Sequence, residues 1–334
     1  MYSLIIFLVS AVAIAIAGTK ISIVADRLAD RTGIGEALIG AVLLGASTSL
    51  SGSVLSAISA YDGMTDLAIS NALGGIAAQT FFLVLADIFY FKANLEHSAA
   101  SSTNIMLAML LVVLLCLPVM GLSMPEFTWF SIHPITLILF GVYFFGIQYV
   151  SKEKKDPMWK PTKTLETVED EPNEPIGGKQ LKDLILKFVL YSIILVVSGF
   201  TIKSSGVALA KNWGINHLVL GALFTAIITS LPELITTFAA IRQGALSLAV
   251  GGIVGGNTFD VLFLAFSDVA YRQGSIYHKM SNVHVAYISI TITMTAVLAM
   301  GLIRREKHGF ANIGTESFVI AILYIFSLIL LLVQ

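Results

Sequence analysis

Charge is scarce in this chain. Only 12% of its 334 residues are Asp, Glu, Lys or Arg, whereas a soluble globule carries roughly 25% because it must cover its surface with them. Cysteine is nearly absent as well. Cys116 stands alone within an apolar run, so no internal disulfide can form, and neither Cys-x-x-Cys nor Cys/His zinc spacing exists. The formal net charge of −1 leaves no basic footprint for nucleic acid. No Gly-x-x-x-x-Gly-Lys-Ser/Thr loop is present to cradle nucleotide phosphates, and the six histidines are scattered without metal-like spacing. These absences exclude an ordinary soluble enzyme. What remains is apolar: 56% hydrophobic residues and a mean hydropathy of +0.86, which also exclude a disordered chain and imply an integral membrane protein.

About ten apolar stretches approach the 20 residues that an α-helix needs to cross a bilayer. They cover 3–24, 34–60, 66–90, 103–122, 133–150, 184–203, 215–240, 247–271, 283–302 and 314–333. Four are long and hold Gly, Pro or Ser/Thr clusters mid-span, and are expected to be kinked or interrupted. Leu4–Ala17 has no basic residue before it, since the first lysine is Lys20, so it reads as a retained helix and not a signal peptide. One long polar stretch, containing Lys152, Lys154, Lys155, Pro157, Pro161, Glu169, Asp170, Glu171, Pro172 and Pro175, separates the fifth span from the sixth. It reads as a flexible linker, too short for a regulatory domain. The chain thus divides into 1–150, a linker 151–182, and 183–334, with five spans in each half. Loops after odd-numbered spans hold fourteen Lys and Arg, and loops after even-numbered spans hold four. Positive loops face the cytoplasm, so the linker is expected there, with both termini outside. Without a transit signal, a prokaryotic plasma membrane is the expected location.

An internal repeat is the most informative feature. Gly33–Tyr90 lies over Gly214–Tyr271 without a gap, at an offset of 181 residues, and about sixteen of the 58 positions are identical. They include Gly33/Gly214, Gly40/Gly221, Thr48/Thr229, Ser49/Ser230, Leu50/Leu231, Gly63/Gly244, Gly74/Gly255, Gly75/Gly256, Asp87/Asp268 and Tyr90/Tyr271. Apolar sequences share Ala, Leu and Val by chance, but not Gly, Thr-Ser-Leu, Asp and Tyr in one register. Five spans per copy, an odd number, require the copies to lie upside down relative to each other. Inverted repeats characterise secondary transporters, whose sites lie near the midplane where broken helices meet. The expected fold is therefore all-α, ten transmembrane helices in two inverted five-helix repeats.

Two polar segments recur within the repeat. One is Gly45–Gly52 against Thr225–Glu233, and the other is Asn71–Gln79 against Gly252–Asp260. Both lie mid-span, where a charged side chain is costly and usually functional. Pro232 removes a backbone donor and is expected to open the helix beside Glu233. Thr229 and Glu233 are four residues apart and share a helix face, with Ser230 next to them, while Asn257 and Asp260 share a face on the following span. All these ligand atoms are oxygens, the preference of hard cations such as Ca²⁺ and Na⁺, and nothing here suits zinc or copper. Gly255-Gly256 allows close helix approach.

Thr229-Ser-Leu-Pro-Glu233 followed by Gly255-Gly-Asn-Thr-Phe-Asp260 resembles the second α-repeat of the sodium/calcium exchanger family, within the cation/calcium antiporter superfamily. The resemblance covers nearly the whole chain. It implies ion ligands at Thr229, Ser230, Glu233 and Asp260 in the second half, and at Thr48, Ser49 and Gln79 in the first. It also implies that the first and sixth helices slide across the rest to alternate access. The sequence departs from the family pattern in the first half, where Ser51-Gly52 stands in place of Pro-Glu and Gln79 in place of Asn or Asp. Gly75 and Gly256 replace two serines. About two carboxylates therefore remain, enough for one Ca²⁺ or two Na⁺.

The leading expectation is a cation antiporter, with Ca²⁺ export driven by Na⁺ or H⁺ entry, no cofactor, and inorganic cations and the lipid bilayer as its partners. A monovalent cation/H⁺ exchanger is the alternative that the lost glutamate favours. Tyr61-Asp62 is half of an intramembrane aspartyl protease pair, but no second Asp lies in a Gly-x-Gly-Asp context. A channel or receptor is a further alternative. Glu233 and Asp260 could instead form a buried pair, Gln79 an interhelical hydrogen bond, and Asn257 either. Asp87 and Asp268 suit helix-end packing, Asp62 and Asp66 a solvated loop, and Glu36 and Lys20 snorkelling at span ends.

Overall fold

The computed structural model describes residues 2–90, 93–155, 158–167, 178–212, 229–309 and 313–332. Gly214, Gly221, Thr225, Lys92 and the acidic run at 169–171 lie outside these residues, as does the first half of the expected span 215–240.

In hydrocarbon every backbone polar group must be satisfied within the chain, so apolar runs of this length become helices. In order they are α1 (Tyr2–Thr32), α2 (Glu36–Ile39), a π-helical turn (Gly40–Gly45), α3 (Ala46–Tyr61), α4 (Thr65–Phe89), α5 (Leu95–Ser98), α6 (Ser102–Ser123), α7 (Pro134–Lys155), α8 (Gly178–Asn212), α9 (Leu231–Gln243), α10 (Leu246–Asp260), α11 (Leu262–Ala270), α12 (Asn282–Arg304) and α13 (Thr315–Leu332). Among the described residues no β-strand forms, and eight helical segments are long and apolar enough to cross a membrane. The tenth expected span corresponds to the shorter apolar helix at Thr315–Leu330.

Helix α1 continues to Thr32, beyond the expected end near residue 24. Its last turns carry Asp26, Arg27, Asp30 and Arg31, which remain helical because a helix need not stop where hydrocarbon ends. Glu36 does not snorkel. It is 7% exposed, and its Oε2 accepts the Leu248 N–H at 3.0 Å, satisfying an orphan donor in the first turn of α10. The linker is not a free tether along its whole length. Thr164 meets the His97 ring at 2.8 Å, Lys307 pairs with Glu166 at 2.6 Å, and the Arg305 guanidinium donates to Thr162 O and to Thr167 Oγ1.

Two apolar cores form. The larger joins α4, α6, α7 and α10–α13. The smaller joins α1 and α8 through Ile14, Ile21, Phe188, Leu195 and Ile202, and rests on Ile39, Leu44, Ala240, Ala245, Leu248 and Ala249. Ser10 Oγ and Thr201 Oγ1, 2.7 Å apart, tie α1 to α8. Their outer faces expose Ile5, Leu8, Val12, Leu186, Leu190 and Val197, as lipid contact requires.

The polar contacts at the helix ends recur at the repeat offset. Asp87 accepts the Leu95 N–H at 2.7 Å and the Gly314 N–H at 3.0 Å. Asp268, 181 residues on, accepts the Ile276 N–H at 3.0 Å and the His133 N–H at 2.8 Å. The His97 ring meets Arg305 O, and the His278 ring meets Met124 O. Ser317 donates to Glu96 at 2.9 Å, and Thr136 pairs with Tyr277 at 2.8 Å. Each contact has a counterpart with the halves exchanged, and together they clamp α4 and α11 at their ends.

Glu96 is the odd member. It stands where the other half has Tyr277, is 2% exposed, and its Oε2 has no hydrogen-bond partner. Burial, and then the neighbouring Asp87 carboxylate, push Glu96 up to about 8 from an ordinary 4.5. The native state therefore holds a proton that the unfolded chain releases. The associated stability is complete below about pH 4.5 and is lost as pH rises through about 8. Melting temperature in detergent should fall across this window, and Glu96→Gln should flatten the slope. Equal slopes in the two proteins would contradict this assignment.

Candidate functional site

The site begins where helices depart from ideal geometry. Gly40–Gly45 adopts π-helical bonding, a rare feature that concentrates at functional positions. Immediately after it, the Thr48 hydroxyl donates to Leu44 O at 3.1 Å and Gly45 O at 3.0 Å, taking up carbonyls that the irregular turn leaves weakly bonded. In the other half Ser230 leaves helical bonding and α9 starts at Leu231. The helix opens just before Glu233, as expected, and Pro232 occupies the first turn of α9, where its missing N–H costs nothing. Glu233 lies in the same first turn, at the positive end of the helix dipole. Asp260 lies at the junction of α10 and α11, where the backbone stays helical through Val261.

Close packing brings these breaks together. A Cβ on Gly45 would lie 2.6 Å from the Gly256 Cα, and one on Gly255 would collide with Ala41. Only glycine lets α10 approach the π-turn so closely. Ser49 Oγ donates to Glu233 Oε1 at 3.3 Å. Gln79 Nε2 donates to Asp260 Oδ2 at 2.7 Å, joining two positions that are equivalent in the repeat. Glu233 is 3% exposed and Asp260 1%, and the two lie close enough to repel each other.

Both carboxylates line one cavity with Thr48, Ser49, Gly52, Asn71, Gly75, Gln79, Thr229, Ser230 and Phe263. It offers the centre of a water-sized sphere about 10 Å³, room for one water or one bare cation. A second cavity of about 10 Å³ shares Thr48 and Glu233 with it and is walled by Leu44, Gly45, Thr236, Thr237, Leu248, Ala249, Gly252 and Ile253. Among the described residues, neither cavity has a lysine or arginine in its wall.

Four of the first cavity's oxygens lack donors. Asn71 Oδ1, Gln79 Oε1, Glu233 Oε2 and Asp260 Oδ1 are all buried without a hydrogen-bond partner. Buried polar atoms are ordinarily paired, and the neighbouring nitrogens are already committed. Gln79 Nε2 faces a carboxylate, which only accepts. Four such acceptors on residues that line one small void, with no lysine or arginine among its described lining residues, form an arrangement complementary to a hard cation.

Of the eight residues expected at the site, Thr48, Ser49, Gln79, Thr229, Ser230, Glu233 and Asp260 line this cavity. Asn257 is turned away: its amide donates to Thr80 Oγ1 at 3.0 Å and to Ile76 O at 3.4 Å, bonding α10 to α4. Asn71 and Phe263 were not expected there. The signal for Asn71 was present in the i, i+4, i+8 spacing of Asn71, Gly75 and Gln79, which share one face of α4. Tyr61 and Asp62 are exposed at the end of α3, far from the depth a membrane protease would need.

The model for the sodium/calcium exchanger protein family matches residues 2–150 and 184–333. A putative antiporter, CaxA of Alkalimonas amylolytica, is 26% identical over 84% of this chain and 85% of its own. The sodium/calcium exchanger MaX1 of Methanosarcina acetivorans is 30% identical over 39% of this chain and 35% of its own. The solved sodium-calcium exchanger NCX_Mj has the same fold, with a TM-score of 0.74, 16% identity and 98% of each chain covered.

A cation that binds only the folded cavity raises the unfolding temperature. Ca²⁺ or Na⁺ should therefore stabilise the wild-type protein in detergent, and Glu233→Gln or Asp260→Asn should remove that shift. Asn257→Ala should keep the shift while lowering baseline stability by about 1–2 kcal/mol, the cost of lost buried hydrogen bonds. Loss of the cation response in Asn257→Ala would make Asn257 a ligand after all.

Proposed function

The chain belongs to the sodium/calcium exchanger family, and on that premise we propose that it is a cation antiporter that carries Ca²⁺ against Na⁺ or H⁺ at the cavity between Glu233 and Asp260. The family is one of membrane transporters, not enzymes. The observation that carries the reading is the set of four buried, donorless oxygens around a void of cation size. Glu233 and Asp260 supply the charge. Thr48, Ser49, Gln79, Thr229 and Ser230 complete the oxygen lining.

Exchange follows from mutual exclusion. Ca²⁺, two Na⁺ or two protons each neutralise the same pair of carboxylates, and a site left empty and charged resists passage through the low-dielectric midplane. Ion gradients supply the driving force. The halves 1–150 and 183–334 act as inverted repeats, a reading supported by the reciprocal contacts at the 181-residue offset. It is supported too by the gap in the family match at the linker, residues 151–183. The separate apolar core of α1 and α8 suits these helices to move as a pair across the rest. Loop charge places the linker on the cytoplasmic side and the termini outside.

A second reading, exchange of a monovalent cation for H⁺, is favoured by the glycine at position 52, which leaves the cavity two carboxylates. Flux separates the two. Proteoliposomes loaded with Na⁺ and diluted into Na⁺-free buffer should accumulate ⁴⁵Ca²⁺, and Glu233→Gln should abolish uptake. Gradient-driven ²²Na⁺ exchange without ⁴⁵Ca²⁺ uptake would establish the second reading instead.

A further inference from the structure

The repeat register sets an expectation that the cavity does not meet. Position 52 is the counterpart of Glu233, position 71 of Gly252, and Phe82 of Phe263. A symmetric site would have a carboxylate at 52. It has a glycine, and the space beyond that glycine is taken: a Cβ on Gly52 would lie 2.7 Å from Phe263 Cε2 and 3.0 Å from Cζ. Phe263 is 4% exposed and lies edge-on to Phe259 at 6.3 Å, so the ring is held in place.

Asn71 has no polar counterpart, yet its orientation is fixed. Its Nδ2 donates to Gly52 O at 3.1 Å, a carbonyl that can only accept. It also donates to Ser56 Oγ at 2.8 Å. That hydroxyl spends its own proton on Ala68 O at 3.1 Å, so it too must accept from Asn71. Both amide protons are thus committed away from the cavity, and Oδ1 is left buried and partnerless in its wall.

We propose that Asn71 is a cation ligand, the neutral oxygen standing in for a carboxylate that the Phe263 ring excludes, and that the site in consequence carries two positive charges in each direction, making exchange electroneutral. The inference rests on the antiport reading and extends it. Two carboxylates are neutralised by one divalent cation or by two monovalent cations or protons, and a neutral loaded site is the form that crosses the midplane. Whichever pair of cations is exchanged, no net charge moves.

Transport under clamped voltage tests this. Wild-type proteoliposomes would be held at several membrane potentials with K⁺ and valinomycin while ⁴⁵Ca²⁺, or ²²Na⁺ where Ca²⁺ is not carried, is driven by a cation gradient. The expected initial rate is the same at every potential. A rate that changes several-fold with potential overturns the inference and leaves the antiport reading standing, whereas no gradient-driven flux of either isotope removes that reading and the inference with it. Gly52→Glu combined with Phe263→Ala should create a third charge and make the rate voltage-dependent. Asn71→Ala tests the ligand role: it should change the ratio of Ca²⁺ to Na⁺ concentrations at half-saturation by about tenfold, the effect of one lost ligand contact of about 1.4 kcal/mol. A merely structural role would lower total flux and leave that ratio unchanged.

Discussion

A carboxylate in the middle of a bilayer is tolerated only where something positive, or a set of hydrogen-bond donors, faces it. The cost is about 3 kcal/mol per charge on insertion scales and more on an isolated helix. Glu233 receives one hydroxyl from Ser49, and Asp260 one amide from Gln79. Neutral donors ease desolvation but cancel no charge, and one oxygen of each carboxylate has none. The cavity is therefore most stable when occupied by a cation or by protons. In the proposed exchanger this one requirement supplies both affinity and coupling, because the state that must not cross the membrane is the empty one.

The rest of the scaffold serves to hold two unfavourable groups together. Glycine contacts bring the π-turn and α10 within reach of each other. At the ends of α4 and α11, Asp87 and Asp268 each take two backbone N–H groups, one from the adjoining loop and one from the start of a helix in the opposite half. These clamps fix the helices that carry Asn71, Gln79 and Phe263. Helices α1 and α8 pack on each other around a second apolar core, which also rests on the π-turn, α9 and α10.

Much of this was legible in the sequence because hydrocarbon leaves few alternatives. Long apolar runs had to be helices, and the Gly, Thr-Ser-Leu, Asp and Tyr pattern in one register pointed to the residues that meet at the cavity and at the helix ends. Glu233, Asp260 and Gln79 stood out because polar groups at that depth need a reason. Glu36 was misread because hydropathy reports distance from a span's edge and not which helix end lies opposite; its carboxylate caps α10. Asn257 was grouped with the site because it shares a helix face with Asp260, but a face of a buried helix meets more than one neighbour, and this amide turns to α4. Phe263 could not be found at all from sequence. An aromatic residue in an apolar span is ordinary, and its importance lies in the glycine it meets from the other half.

The departures of the first half from the second become intelligible where the two halves touch. Positions 79 and 260 correspond at the 181-residue offset and are in direct contact. Aspartate in both would set two carboxylates against one another in a low dielectric, each raising the cost of the other. Glutamine in one copy turns that repulsion into a hydrogen bond, fixes the orientation of Asp260, and still presents an oxygen to the cavity. The same logic holds at position 52, where glycine admits the Phe263 ring and Asn71 contributes an uncharged oxygen. The shared register brings these residues together, and the departures from it limit how much negative charge the cavity carries.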